Sequence, residues 1–342
     1  MTGPATTLGI DLPVIAAPMA GGPSGPALVV AAGRVGSLGL LAGGYRSAED
    51  LATQIRAVRS AAVPFGVNLF APTPVPVDPV AYAAYAASLR EVAAPYGLDP
   101  TTVPIREDDD GWDAKVALLL ADPVPLVTFT FGIPRADVIA SLRSAGTLVG
   151  QTVTSVREAR LAADAGVDLL VVQSARAGGH WGTMTPADDP VVLDPAELVA
   201  AVGASVDLPR WGAGGVGTAS DVTRILEAGA EAVAVGTALL LADEAGTSAP
   251  YRAALADPAR TATALTRAFS GRPARGLVND FLVRYDATAP LGYPAIHHLT
   301  SPLRRAATEA GDPEVPNMWA GTGVGAVRPG PAGTILRGLA PV

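Results

Sequence analysis

Three histidines occur in the 342 residues, and one of them, His180, directly follows the glycine pair Gly178 and Gly179. Glycines in that position let the backbone come close to a bound molecule. An imidazole titrates near neutrality, so it can accept a proton there or stabilise an anion. His297 and His298 stand among prolines in the tail of the chain and read as residues of a structural loop. There is no cysteine, which removes thiolate nucleophiles, disulfides and cysteine-based metal or iron–sulfur sites together. Lys115 is the only lysine, so a Schiff base has one candidate at most.

The elements that must position these residues follow from the apolar pattern. Short apolar runs alternate eight times with helical patterns: Val14–Ala17, Leu38–Leu41, Phe65–Leu69, Pro125–Phe129, Thr147–Gly150, Asp168–Val172, Leu208–Gly212 and Ala232–Val235. Runs of four or five residues, apolar throughout, suit parallel strands buried on both faces. Helices are expected over Ser155–Ala165 and Ala219–Ala228, each stopped by a following glycine. Eight βα units predict an α/β fold, a (β/α)8 TIM barrel, ahead of a doubly wound open sheet. Residues 1–242 make the barrel in this reading. Residues 71–124 form an insertion after the third strand, opening with Pro72, Pro74, Pro76 and Pro79 and continuing through helices at Val80–Ala94 and Trp112–Leu120. Such an insertion sits over the barrel mouth, where βα loops emerge. Residues 243–342 are expected to be a helical extension packed on the barrel, with helices near Thr261–Ala268 and Pro302–Ala310.

Barrel chemistry lives at the C-terminal ends of the strands. In order, those ends offer Ala17-Pro18-Met19-Ala20-Gly21-Gly22, Ala42-Gly43-Gly44, Asn68, Thr130-Phe131-Gly132, Gln151-Thr152, Gln173-Ser174 leading to Gly178-Gly179-His180, Ala213-Gly214-Gly215, and Gly236-Thr237. No strand ends in a carboxylate, which argues against a metal site and against a glycosidase pair. Lys115 falls in the insertion, away from any strand end. Neutral amides, glycines and one histidine suit an organic cofactor that carries the hard chemistry itself. Asn68 and Gln173 are placed to donate and accept along the edge of a planar ring. Gly214-Gly215, before a helix, and Gly236-Thr237 next to them present backbone N–H groups to a phosphate. Gly212-Ala213-Gly214-Gly215-Val216-Gly217 also fits the dinucleotide pattern G-x-G-x-x-G. The next strand, however, ends in Gly236-Thr237 with no acid for a ribose, so a Rossmann reading is rejected.

Composition narrows the class further. Nearly half of the residues are apolar (49%), enough for a large core, and the net charge of −8 disfavours nucleic acid as a partner. No apolar stretch reaches the roughly 20 residues of a membrane span. A basic, then apolar leader is not evident at the start, and a cytoplasmic location is expected.

With these motifs assembled, the chain resembles the nitronate monooxygenases, formerly called 2-nitropropane dioxygenases. The resemblance rests on Ala17-Pro18-Met19-Ala20-Gly21-Gly22, Gly66-Val67-Asn68-Leu69-Phe70, Phe129-Thr130-Phe131-Gly132, Gln173, Ala177-Gly178-Gly179-His180, Gly214-Gly215, Gly236-Thr237 and Trp319-Ala320-Gly321. Asp109-Asp110-Gly111-Trp112-Asp113 extends it into the insertion. It implies an FMN-containing barrel without a metal, which turns a small anionic substrate, an alkyl nitronate, and O2 into a carbonyl compound and nitrite. It places the flavin near Ala17, Pro18 and Met19, against Asn68 and Gln173. Its phosphate path runs along Gly178, Gly179, Gly214, Gly215, Gly217, Gly236 and Thr237. His180 matches the family's active-site histidine. Phe131, Trp181 and Trp319 are expected in the substrate pocket, and a homodimer is compatible with the reading.

Departures from the family pattern bear on the substrate. Arg176 replaces an acid two residues before the glycine pair, and either favours an anionic substrate or forms a surface ion pair. Thr128 stands where serine is common, and Thr322 where glutamine is. Flavin-dependent enoyl-acyl-carrier-protein reductases share the histidine run and the following Gly182-Thr183-Met184-Thr185; the long insertion and the negative charge argue against that activity. Quinone-reductase relatives place a histidine in the helix after the fifth strand, where this chain reads Val156-Arg157-Glu158. A flavin-binding protein without catalysis is the remaining alternative, disfavoured by an intact His180.

Overall fold

The computed structural model describes residues 3–73 and 75–341, so Pro74 of the proline-rich run lies outside the described residues. Strands β1 (Val14–Ala16), β2 (Gly39–Ala42), β3 (Phe65–Ala71), β4 (Leu126–Phe131), β5 (Leu148–Val153) and β6 (Leu169–Gln173) follow one another around a closed barrel. After a two-residue strand outside it, β7 (Gly179–His180), the barrel continues with β8 (Arg210–Ala213) and β9 (Ala232–Val235). Closure is parallel, with Val14, Ile15 and Ala16 opposite Val233, Ala234 and Val235. The eight expected strands are all present, with ends displaced by at most three residues.

Alternation along each strand explains why both faces had to be apolar. In β1, Val14 and Ala16 join the layer under the surrounding helices, while Ile15 points to the barrel interior. Inside, Ile15 meets Leu38, Leu40, Leu126, Leu169 and the fully buried Trp211. The helices start where side chains satisfy the free N–H groups of the first turn. Ser155 accepts from Glu158 N, and Thr218 with Asp221 forms a reciprocal capping box.

The insertion and the tail build a second core over the mouth. Tyr82, Tyr85, Ala86 and Leu89 of the helix Pro79–Ser88 and its continuation pack on Phe269, Phe281, Tyr285, Ile296, Leu299 and Leu303. Tyr85 Oη donates to the Ala268 carbonyl at 2.6 Å. The expected helix at Val80–Ala94 is broken after Ser88 and ends in a 3-10 turn.

Two expectations for the tail are corrected. Thr261–Ala268 is not helical: β10 (Thr263–Thr266) runs antiparallel to β11 (Ala274–Leu277), which pairs in turn with β7. Its β-branched threonines prefer the pleated surface, and β11 supplies the partner. The helix placed at Pro302–Ala310 spans Ala295–Glu309, with Pro302 in its interior. His297 and His298 therefore lie on a helix, not in a loop. Among the described residues, no helix is long and apolar enough to cross a membrane.

Candidate active site

The strand ends, β7 and the cap enclose one large cavity of about 400 Å³. Ala17, Pro18 and Met19 line one wall; Asn68, Phe131, Gln173, Gly178, Gly179, His180 and Trp319 line others. Gly214, Gly215, Gly236 and Thr237 form one end. Among the described residues no carboxylate lines it, and the only fixed charge on its walls is that of Arg304.

His180 owes its placement to the β7–β11 pairing, in which it stands opposite Ala274. Its Nε2 lies 2.8 Å from Ser270 Oγ. The rings of Phe131, Tyr293 and Trp319 surround it at 5.7, 5.6 and 5.5 Å between centroids. Burial, then the charges of Arg272 and Arg304, pushes its pKa down from 6.5 to about 3. The imidazole is thus neutral, with Nε2 engaged and Nδ1 free of protein partners among the described residues.

The two strand-end amides differ in what they leave available. Asn68 spends Nδ2 on Thr128 and Thr130, with Oγ1 distances of 3.0 Å to each, and keeps Oδ1 free as an acceptor on the wall. Thr128 therefore supplies the hydroxyl that serine would. Gln173 is committed at both ends: Nε2 donates to the His180 carbonyl (3.3 Å) and Oε1 accepts from Gly182 N (2.7 Å). Its amide holds the His180 loop in place.

At the glycine end, the N–H groups of Gly214, Gly215, Gly236 and Thr237 donate to no protein acceptor among the described residues. Gly217 is different. Its N–H donates to Asp221 Oδ2 at 3.0 Å, and it packs on Ala326, off the cavity. Gly217 thus belongs to a helix cap. Trp181 also leaves the expected site. The alternation of β7 puts His180 on the cavity side, while Trp181 is buried elsewhere, 7% exposed, with its backbone N–H on the Pro273 carbonyl. Arg176 forms the ion pair: its Nη1 is 3.0 Å from Asp194, which also binds Arg224, and it does not line the cavity.

Distant motifs meet here. A Cβ on Gly178 would fall 2.6 Å from Gly321 N, so Ala-Gly-Gly-His and Trp-Ala-Gly pack backbone to backbone. Gly321 N also donates to Thr237 Oγ1 at 2.9 Å. In the insertion, Asp110 accepts from Tyr45 N at 2.9 Å and pairs with the buried Lys115 at 2.7 Å. Asp109 Oδ1 accepts from Gly111 N at 3.0 Å.

Several wall residues escaped the sequence reading. Tyr45 follows directly on Gly43-Gly44 of the second strand end, so its position was a signal. Its ring stacks on His297 at 4.2 Å, and its hydroxyl meets that of Tyr293 at 3.3 Å. Burial holds the Tyr45 phenol up at about 12 and His297 well below its usual range, so both are neutral. Ser270 and Arg304, and Arg272 behind the wall, had no strand end to announce them.

The chain matches the family model described as nitronate monooxygenase over residues 5–341. It is 36% identical to a nitronate monooxygenase of Pseudomonas aeruginosa, covering 97% of this chain and 96% of the relative. It is 33% identical to a probable nitronate monooxygenase of Staphylococcus aureus, covering 97% and 94%. Among solved structures, a nitroalkane oxidase from Streptomyces ansochromogenes superposes with a TM-score of 0.91 at 44% identity, covering 98% and 96%. FabK from Thermotoga maritima reaches 0.75 at 26% identity, covering 99% of this chain and 95% of its own. That coverage includes the insertion, which therefore does not set this chain apart from FabK. The matched length, the identities and the shared barrel agree: the chain is an oxidoreductase that belongs to the nitronate monooxygenase family.

Proposed function

We propose that the chain binds FMN in this cavity and uses O2 to oxidise alkyl nitronates to carbonyl compounds and nitrite. The observation that carries the reading is a half-buried His180, held neutral, on a wall that shows no carboxylate among the described residues, with a row of unengaged N–H groups at one end of the same cavity.

The residues fit FMN on two counts. Gly214, Gly215, Gly236 and Thr237 offer N–H groups to a phosphate. Gly236 has no packing reason to be glycine, since an added Cβ would meet nothing closer than Met19 Sδ at 3.5 Å. A ligand's close approach is a reason. Asn68 Oδ1 offers an acceptor to a ring N–H. When bound, FMN supplies the electron transfer between nitronate and O2.

The chain's own part is to bind and orient the substrate. Ser270 Oγ lies between His180 Nε2 and the Arg272 carbonyl, which it reaches at 3.3 Å. With its proton turned to Nε2, the other imidazole nitrogen, Nδ1–H, donates to an anion in the cavity. With its proton turned to the carbonyl, Nε2–H donates to Ser270 and Nδ1 becomes an acceptor. An imidazole whose conjugate acid lies at about 3 is a poor base but a good neutral donor. The ready-made nitronate, which needs no deprotonation, is thus favoured over the neutral nitroalkane. Phe131, Tyr293 and Trp319 keep water from the imidazole.

His180→Ala is expected to retain FMN and lose nitronate turnover by at least about 100-fold, the usual weight of such a group. The checks are the visible spectrum and oxygen uptake. A colourless protein that takes up no FMN, or a variant with full turnover, would sink the proposal. A flavin reductase using NADH or NADPH is the second reading, kept by the Gly182–Thr185 run. Anaerobic bleaching by NADH faster than by nitronate would promote it. Thr183 of that run is committed here to the buried Glu158, at 2.7 Å.

A further inference from the structure

A buried cation stands behind His180 without an anion beside it. Arg272 is 0% exposed, and no carboxylate pairs with it among the described residues. Its Nη2 donates to the Thr183 carbonyl, while Nε and Nη1 find no acceptor there. The nearest carboxylate route runs through Thr183 to Glu158, whose two oxygens already accept from Thr154, Thr183 and Met184. An unpaired guanidinium is costly to bury, and an apolar side chain would fill the space more cheaply. A use for the charge is therefore indicated.

Arg272 touches both contacts that orient the imidazole. Its guanidinium carbon lies 3.9 Å from the centroid of the Phe131 ring, which stands edge-on to His180. Phe131 has φ +83°, a conformation that bulky residues avoid unless their surroundings impose it. The Arg272 backbone carbonyl accepts from Ser270 Oγ, the hydroxyl bound to His180 Nε2.

We propose that Arg272 is a positioning residue: its side chain clamps Phe131 and its backbone holds Ser270 around the imidazole, and its fixed charge adds to burial in disfavouring a second cation at His180. The groups facing His180 leave few rivals. Tyr293 and His297 are themselves held neutral by burial. Arg304 is charged, but its donors are taken by Thr300, Asn317, His297 and Ser301. Of the two arginine charges, that of Arg272 acts more strongly on His180. Arg272 itself, held down at about 10 by burial, is still charged at neutral pH.

The inference rests on His180 as the reacting side chain, but its test needs no substrate. The imidazole nitrogens of 15N-histidine-labelled holoprotein are titrated by NMR from about pH 8 to about pH 4, with His180 assigned by its loss in His180→Ala. His180 is expected to be flat in the wild type. Removing a like charge at this range moves a midpoint by about 1–3 units, so Arg272→Gln should titrate within the window. Arg272→Lys, which keeps the charge, should stay flat. A folded Arg272→Gln as flat as the wild type overturns the proposal, as does Arg272→Lys titrating with it. Where Arg272→Gln does not fold, Arg272→Met removes the charge while filling the volume and is held to the same criteria. A failure of the nitronate assay would leave this result untouched, and the reverse holds too.

Discussion

A neutral imidazole predicts its own pH behaviour. His180 gains a proton only as pH falls to about 3, so nothing at this residue changes on crossing the ordinary histidine range near 6.5. kcat/KM for a pre-formed nitronate should therefore be level from about pH 8 to about pH 5.5, once substrate reprotonation is corrected for. A tenfold decline centred near 6.5 would show an ordinary, solvated histidine. At this scale the sequence was informative where a residue sat at a strand end. His180, Asn68 and Thr237 were found that way. Arg272 and Ser270 were not, because they lie on the turn between β10 and β11, and only strand pairing brings that turn to His180.

Elements divide the glycines into two kinds, and substitution separates them. Gly236→Ala should leave the stability of the flavin-free protein within about 0.5 kcal/mol, because the new methyl meets only ordinary contacts. It should weaken FMN binding at least tenfold, read by fluorescence titration. Gly178→Ala should cost about 1–3 kcal/mol in urea unfolding, because its methyl would strike the Gly321 backbone. FMN affinity unchanged in Gly236→Ala would remove that loop from the phosphate site. In the insertion, Lys115 pairs with Asp110, the carboxylate that accepts from Tyr45 N. Lys115 is 2% exposed and Asp110 is 19% exposed in their side chains. Lys115→Met should lower the unfolding free energy by about 3 kcal/mol, the cost of stranding a buried partner, and should raise KM as Tyr45 loosens. A stability loss without a change in KM would confine Lys115 to a structural role. The tail was misread because its signals were weak. The helix Ala295–Glu309 starts after Pro294 without a side-chain cap, and β10 mixes threonine with alanine and leucine.

The whole molecule carries a charge of −8, yet among the described residues its large cavity is lined by no carboxylate and one arginine. The proposed anionic substrate would thus meet none of the protein's own acids among the described lining residues. The same burial makes the fold sensitive to acid. Unfolded histidines take up protons below about 6.5, whereas His180 and His297 in the folded state do not until far lower pH. The unfolded state therefore binds more protons in this window, and stability falls as pH falls. Each group contributes a slope of up to about 1.4 kcal/mol per pH unit. Urea midpoints between about pH 7 and about pH 5.5 test this, and His297→Gln should remove part of the slope. A midpoint independent of pH would mean that both rings are hydrated in the folded chain.

By itself, the sequence determined the barrel and its strand ends. Strands buried on both faces must be apolar throughout, and a residue following such a run must emerge at the mouth. Those are local constraints, legible in one dimension. Tertiary structure alone decided which side of β7 faces the cavity, and so admitted His180 and turned Trp181 away. It also sent Gly217 to a helix cap and Arg176 to Asp194, and it brought Arg272, Tyr45 and His297 to the site. The residues brought to the site depend on pairings between positions ninety or more apart, such as His180 with Ser270, and no periodicity records them.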